Sequence, residues 1–110
     1  MADLADPALR VVISTFPSID KAAEVARVLV DEQLVACVNV VPQVRSIYRW
    51  QGAVQDDTEA LALIKTTVER VAAVTSRLLE LHPYDVPEVI ALPISAASPA
   101  YAAWVRDSVG

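Results

Sequence analysis

The chain has 110 residues, enough for one domain and too few for two, and its 55% apolar and 21% charged residues exclude intrinsic disorder. Nine Lys and Arg against 14 Asp and Glu leave a net charge of -5, which argues against a nucleic-acid partner because phosphate binding needs clustered cations. Mean hydropathy is +0.40, yet the longest unbroken apolar run is Ala100 to Val105, far short of the ~20 residues that span a bilayer.

Residues 1–9 read as a polar, Pro-containing arm, and 10–110 as the single domain. Arg10–Phe16 (RVVISTF) is short and β-branched, a buried strand that Pro17 ends. Ser18 can cap the next helix, predicted over Ile19–Gln33, with Ala22, Val25, Ala26 and Leu29 on its apolar face and Asp20, Glu24, Arg27 and Asp31 opposite. Leu34–Val41 is a second apolar strand, interrupted by Pro42. Beyond it Val44, Ser46, Tyr48 and Trp50 alternate with Arg45, Ile47 and Arg49, the period of a strand.

Gln51-Gly52 suits a hairpin turn, and Thr58–Thr66 returns as a third strand in which Ala60, Ala62 and Ile64 alternate with Glu59, Leu61 and Leu63. Both hairpin arms are long enough to overhang the body of the domain. Thr66 to Glu69 has the pattern of a capping box, opening a helix with Val68, Val71, Thr75, Leu78 and Leu79 on its buried stripe. His82-Pro83 closes it, because proline pushes its predecessor out of the α region. Val86–Ile94 is a fourth strand whose two prolines place it at an edge or a bulge. Ser98-Pro99 opens a last helix through Val109. The order βαββαβ plus a terminal helix is an α+β, ferredoxin-like arrangement with an antiparallel sheet.

Chemistry is sparse. With glycine only at 52 and 110, neither a dinucleotide fingerprint nor a P-loop can form, and no G-x-S-x-G elbow occurs. One Cys and one His are too few for a structural zinc site, so the chain does not read as an enzyme. A single cysteine cannot form an internal disulfide, and the acidic start lacks the basic and apolar regions of a secretory signal, so the cytoplasm is the expected compartment. Cys37 lies in an apolar strand, either a small buried hydrophobe or a ligand. His82 stands at a helix C-terminus near Asp85 and Glu88, either a cationic cap or a metal ligand. Tyr48 and Trp50 are a strand aromatic pair or the lining of a cleft between subunits. The apolar fraction exceeds what so small a domain buries, which points to a homo-oligomer.

Several stretches resemble the CutA family of divalent-cation tolerance proteins: Val11-Val-Ile-Ser-Thr, Leu34-Val-Ala-Cys-Val-Asn, Ser46-Ile-Tyr-Arg-Trp-Gln-Gly, Leu63-Ile-Lys-Thr-Thr and, most specifically, His82-Pro-Tyr-Asp-Val-Pro-Glu-Val-Ile. The resemblance runs from about Val11 to Val105. It implies a ferredoxin-like homotrimer built like the PII signalling proteins and a role in the response to divalent metals, copper above all; the coupling of folding to assembly in such a trimer predicts resistance to heat. No reaction or obligatory cofactor is implied. Of the copper ligands the resemblance suggests, His82 is present, whereas Ser14 replaces a first-strand cysteine and Leu81 a second histidine; Cys37 matches a cysteine of other members. Losing the thiolate disfavours Cu(I), so His82 with Asp85 or Glu88 is the expected site for Cu(II) or zinc. Two other readings remain: a PII-like cleft holding a small anionic ligand near Tyr48, Trp50, Lys65 and Tyr84, or an anchoring trimer that binds a protein partner.

Overall fold

A computed structural model describes residues 8–110. The chain forms β1 (Leu9–Phe16), α1 (Ile19–Asp31), β2 (Cys37–Trp50), β3 (Ala53–Thr67), a single 3-10 turn (Val68–Arg70), α2 (Val71–Leu81), β4 (Ile90–Pro93) and α3 (Pro99–Ser108). The four strands make one antiparallel sheet in the order β2-β3-β1-β4. The fold is therefore α+β with the split-βαβ connectivity expected from the element order. Most of the expected N-terminal arm lies outside the described residues, but Leu9 already pairs with Thr67 and is buried. No helix among the described residues is long and apolar enough to cross a membrane.

Alternation along β1 and β3 gives the sheet two different faces. Val12 and Phe16 of β1 and Ala60, Ala62 and Ile64 of β3 point to one side, where α1 buries Ala22, Val25 and Leu29 and α2 buries Val74 and Leu78. The α2 stripe differs from the sequence reading: Val74 takes the central position, while Val68 and Leu79 are exposed. Arg77 of α2 reaches across to Glu32 beyond the end of α1 and holds that carboxyl below its usual range. Among the described residues, no helix runs along the middle of the opposite face of the sheet. Only α3 approaches it at one end, where Ala102 and Val105 pack with Leu9 and Ala36.

Besides one- to three-residue shifts at the starts of β1 and β2 and the end of α3, five readings differ from the structure, each for a local reason. Helix α1 stops at Asp31, because Gln33 takes a left-handed conformation (φ 58°) and turns the chain into the sheet. Strand β2 is continuous through Pro42: one extra residue between Val41 and Val44 forms a bulge, the place where a proline without an N–H is tolerated. Strand β3 begins at Ala53 rather than Thr58, so its first seven residues run beyond the reach of β1, and the molecule is drawn out to 50 × 28 × 22 Å. The capping box does not form. Thr66 is a buried strand residue whose hydroxyl donates to the Leu34 carbonyl at 2.8 Å, and the 3-10 turn precedes α2 instead. Strand β4 is confined to Ile90–Pro93, at a sheet edge as its prolines required, leaving residues 83–89 as a loop.

The bulge has a geometric effect. Before it, Cys37, Asn39 and Val41 face away from α1; after it, Val44, Ser46, Tyr48 and Trp50 do. Both sets share the side of the sheet carrying Glu59, Leu61, Leu63 and Lys65.

Ser14 points into the helix-covered core, fully buried, and its hydroxyl has no hydrogen-bond partner among the described residues. A buried hydroxyl without a partner costs about 1–3 kcal/mol. Ser14→Ala is therefore expected to raise the stability by roughly 1 kcal/mol, read as a higher urea midpoint at fixed protein concentration; a lower midpoint would show that the hydroxyl is satisfied.

Candidate functional site

The long arm leaves a gap beside the 83–88 loop. A cleft of about 720 Å³ lies there on the helix-free side. Thr15 forms its floor, Ser46, Tyr48 and Trp50 of β2 and Glu59 of β3 one wall, and Tyr84, Asp85 and Glu88 of the loop the other. Tyr84 ties the walls together: its hydroxyl donates to Glu59 Oε2 at 2.7 Å. Burial, then the Glu59 carboxylate, pushes the Tyr84 phenol far above its ordinary range, so it stays protonated and donating. Tyr48 behaves likewise, donating to Asp57 Oδ2 at 2.6 Å with its pKa raised mainly by that bond.

His82 fixes the loop from behind. It is the residue that ends α2, yet it is only 8% exposed and does not line the cleft. Its ring stacks on Phe16 with centroids 4.4 Å apart. Nε2 lies 2.8 Å from the Thr15 carbonyl, which can only accept, so Nε2 carries the proton; Nδ1 accepts from the Tyr84 backbone N–H at 3.1 Å. Burial pulls the imidazole pKa down, against weaker upward pulls from the Thr15 bond and the Glu59 charge. The expected cationic cap is thus corrected to a neutral, doubly bonded brace, and both nitrogens a metal would use are already engaged.

The other candidate residues are divided by the sheet. Cys37 pairs with Lys65, which lies opposite Val11, four residues or about 13 Å along β1 from Thr15. It is half-buried rather than core, with Sγ 3.4 Å from the Tyr101 hydroxyl, whose pKa is pushed up to about 12 by that contact and by burial. Lys65 bonds Asn39 at the same end and does not line the cleft. The structure therefore brings Tyr48, Trp50, Tyr84, Asp85 and Glu88 together, sets His82 behind them, and leaves Cys37 and Lys65 elsewhere. Ser14 faces the core, away from the cleft that its neighbour Thr15 lines. Among the described residues no three of His, Cys, Asp and Glu come together as a metal-binding group. Sequence reasoning missed Glu59 and Thr15, although the alternation of Glu59 against Ala60 already placed it on the helix-free face.

The family model described as CutA1 divalent ion tolerance protein matches residues 10–108. The chain belongs to the CutA family. It is 48% identical over 100 residues to the divalent-cation tolerance protein CutA of Thermus thermophilus, covering 91% of this chain and 97% of that one. It is 46% identical to human protein CutA over 84% of its own length but only 52% of the human chain. The CutA structure from Synechococcus elongatus superposes with a TM-score of 0.93 at 36% identity, covering 97% of this chain and 95% of that one. The CutA family is thus described by tolerance of divalent ions rather than by a reaction.

The sign of the His82 shift gives a prediction. The folded chain accepts a proton less readily than the unfolded one, whose histidine titrates near ~6.5. The contribution of the brace is complete above that pH and is lost as pH falls through 6.5 towards the depressed folded value. Thermal unfolding at fixed concentration should show the wild-type advantage over His82→Gln shrinking between pH 7.5 and 5.5; a constant difference would contradict a buried neutral imidazole.

Proposed function

We propose that the chain is a homotrimeric divalent-cation tolerance protein that holds its ion at Asp85 and Glu88 on the cleft wall. The observation that carries this reading is the charge of the cleft: Glu59, Asp85 and Glu88 line it and no Lys or Arg does. Oxygen donors suit a hard or borderline divalent ion, and among first-row ions Cu(II) binds such sites most tightly. A Cu(I) site of histidine and thiolate is not favoured, since Cys37 and His82 lie at different ends of the strands. With so few ligands from one chain, binding is weak and is completed by water or by a second subunit. His82 acts by holding the loop that carries both carboxylates. A free thiol at Cys37 agrees with a reducing compartment such as the cytoplasm.

The helix-free sheet face supports the trimer. Val11, Ile13, Leu61, Leu63, Ile90 and Leu92 share it, and the last two are 49% and 44% exposed. Burying such a surface against copies of the chain recovers ~25 cal/mol per Å² of apolar area and couples folding to assembly.

Calorimetric titration with Cu(II) and Zn(II) at pH 7.5 tests the site: Asp85→Asn with Glu88→Gln should weaken binding at least tenfold, and unchanged affinity would place the ion elsewhere. Light scattering tests the assembly, with a trimer expected for the wild type and a monomer for Leu63→Glu. A wild-type monomer at micromolar concentration would overturn the reading.

A further inference from the structure

The cleft is much larger than an ion requires. Liquid water occupies ~30 Å³ per molecule, so 720 Å³ holds roughly two dozen waters and matches the volume of an organic ligand. Its chemistry selects one class. None of the nine Lys and Arg residues lines it; Lys21 and Arg45 are paired with Glu24 and Asp56 outside it. An anion would meet three carboxylates and no cation.

The remaining wall is aromatic. Tyr48 and Trp50 stand two residues apart on the same side of β2, about 6.6 Å along the strand, and are 43% and 46% exposed. Hydrogen bonds to Asp57 and Glu59 fix the tips of the Tyr48 and Tyr84 rings. An ammonium over an indole or phenol face is attracted by the ring quadrupole, and a methylene stem packs against the same surface. We propose that the cleft binds a linear alkyl polyammonium, its stem along Trp50 and Tyr48 and its charges at Glu59, Asp85 and Glu88. The inference rests on the cation-binding reading of the cleft, Glu59 included, but depends on Trp50, which the metal reading does not use.

Calorimetry of the full chain at pH 7.5 and low salt, with spermidine, ATP and Zn(II) as separate titrants, tests it. Spermidine should bind the wild type more tightly than ATP and weaken with added salt. Trp50→Ala should weaken spermidine at least fivefold and leave Zn(II) affinity unchanged; Glu59→Gln should weaken spermidine by as much, and its amide oxygen still accepts from Tyr84, so the loop stays tied. Absence of spermidine binding, equal affinity in wild type and Trp50→Ala, or tighter binding of ATP overturns the proposal. If Zn(II) fails to bind while spermidine binds in a Trp50-dependent way, the metal site falls and this proposal stands.

Discussion

The sheet has two apolar faces and one layer of helices, and the rest of the molecule is organised around that shortage. Strands β1 and β3 place aliphatic side chains on both sides, but α1 and α2 cover only one. The short α3 covers one end of the other side. A four-residue β4 adds Ile90 and Leu92 to the uncovered face instead of shielding it. The domain is stable in isolation only to the extent that one layer of burial offsets chain entropy, and the uncovered face is also the place where a cleft can open.

His82 illustrates how a residue type can suggest one chemistry while its surroundings impose another. A histidine at a helix end next to carboxylates invites a charged role. Burial against Phe16 and two backbone bonds instead keep it neutral and turn it into a joint between β1 and the loop after α2. The neighbouring carboxylates then become the exposed chemistry, and the imidazole becomes what positions them.

Much of the fold was legible in the sequence because periodicity is a local property. The alternations at 44–50 and 58–66 and the stripe of α1 appear in the structure as read. What was not legible depended on distant partners. Thr66 looks like a cap until the Leu34 carbonyl arrives to take its hydroxyl. Val68 falls in the 3-10 turn ahead of α2, and Leu79 faces away from the core that takes Val74 and Leu78. Of the residues singled out in the sequence, the aromatic pair and the loop carboxylates line one cleft. The exclusion of Lys65 and Cys37 required the register of β2 against β3.

That register turns on the extra residue near Pro42. Strand geometry assigns side chains to faces by counting, so the bulge decides which half of the alternating 44–50 segment looks into the cleft. With the bulge, Ser46, Tyr48 and Trp50 take the cleft face; paired at the same length without it, Arg45 and Arg49 would take that face. Pro42 and Gln43 together stand opposite the single Ala60, so deleting one of them would remove the bulge and leave Tyr48 and Trp50 on their face, whereas straightening the strand at its present length would turn guanidinium groups toward the cleft. The electrostatic character of this site is held by how the chain ahead of it pairs as much as by the residues within it.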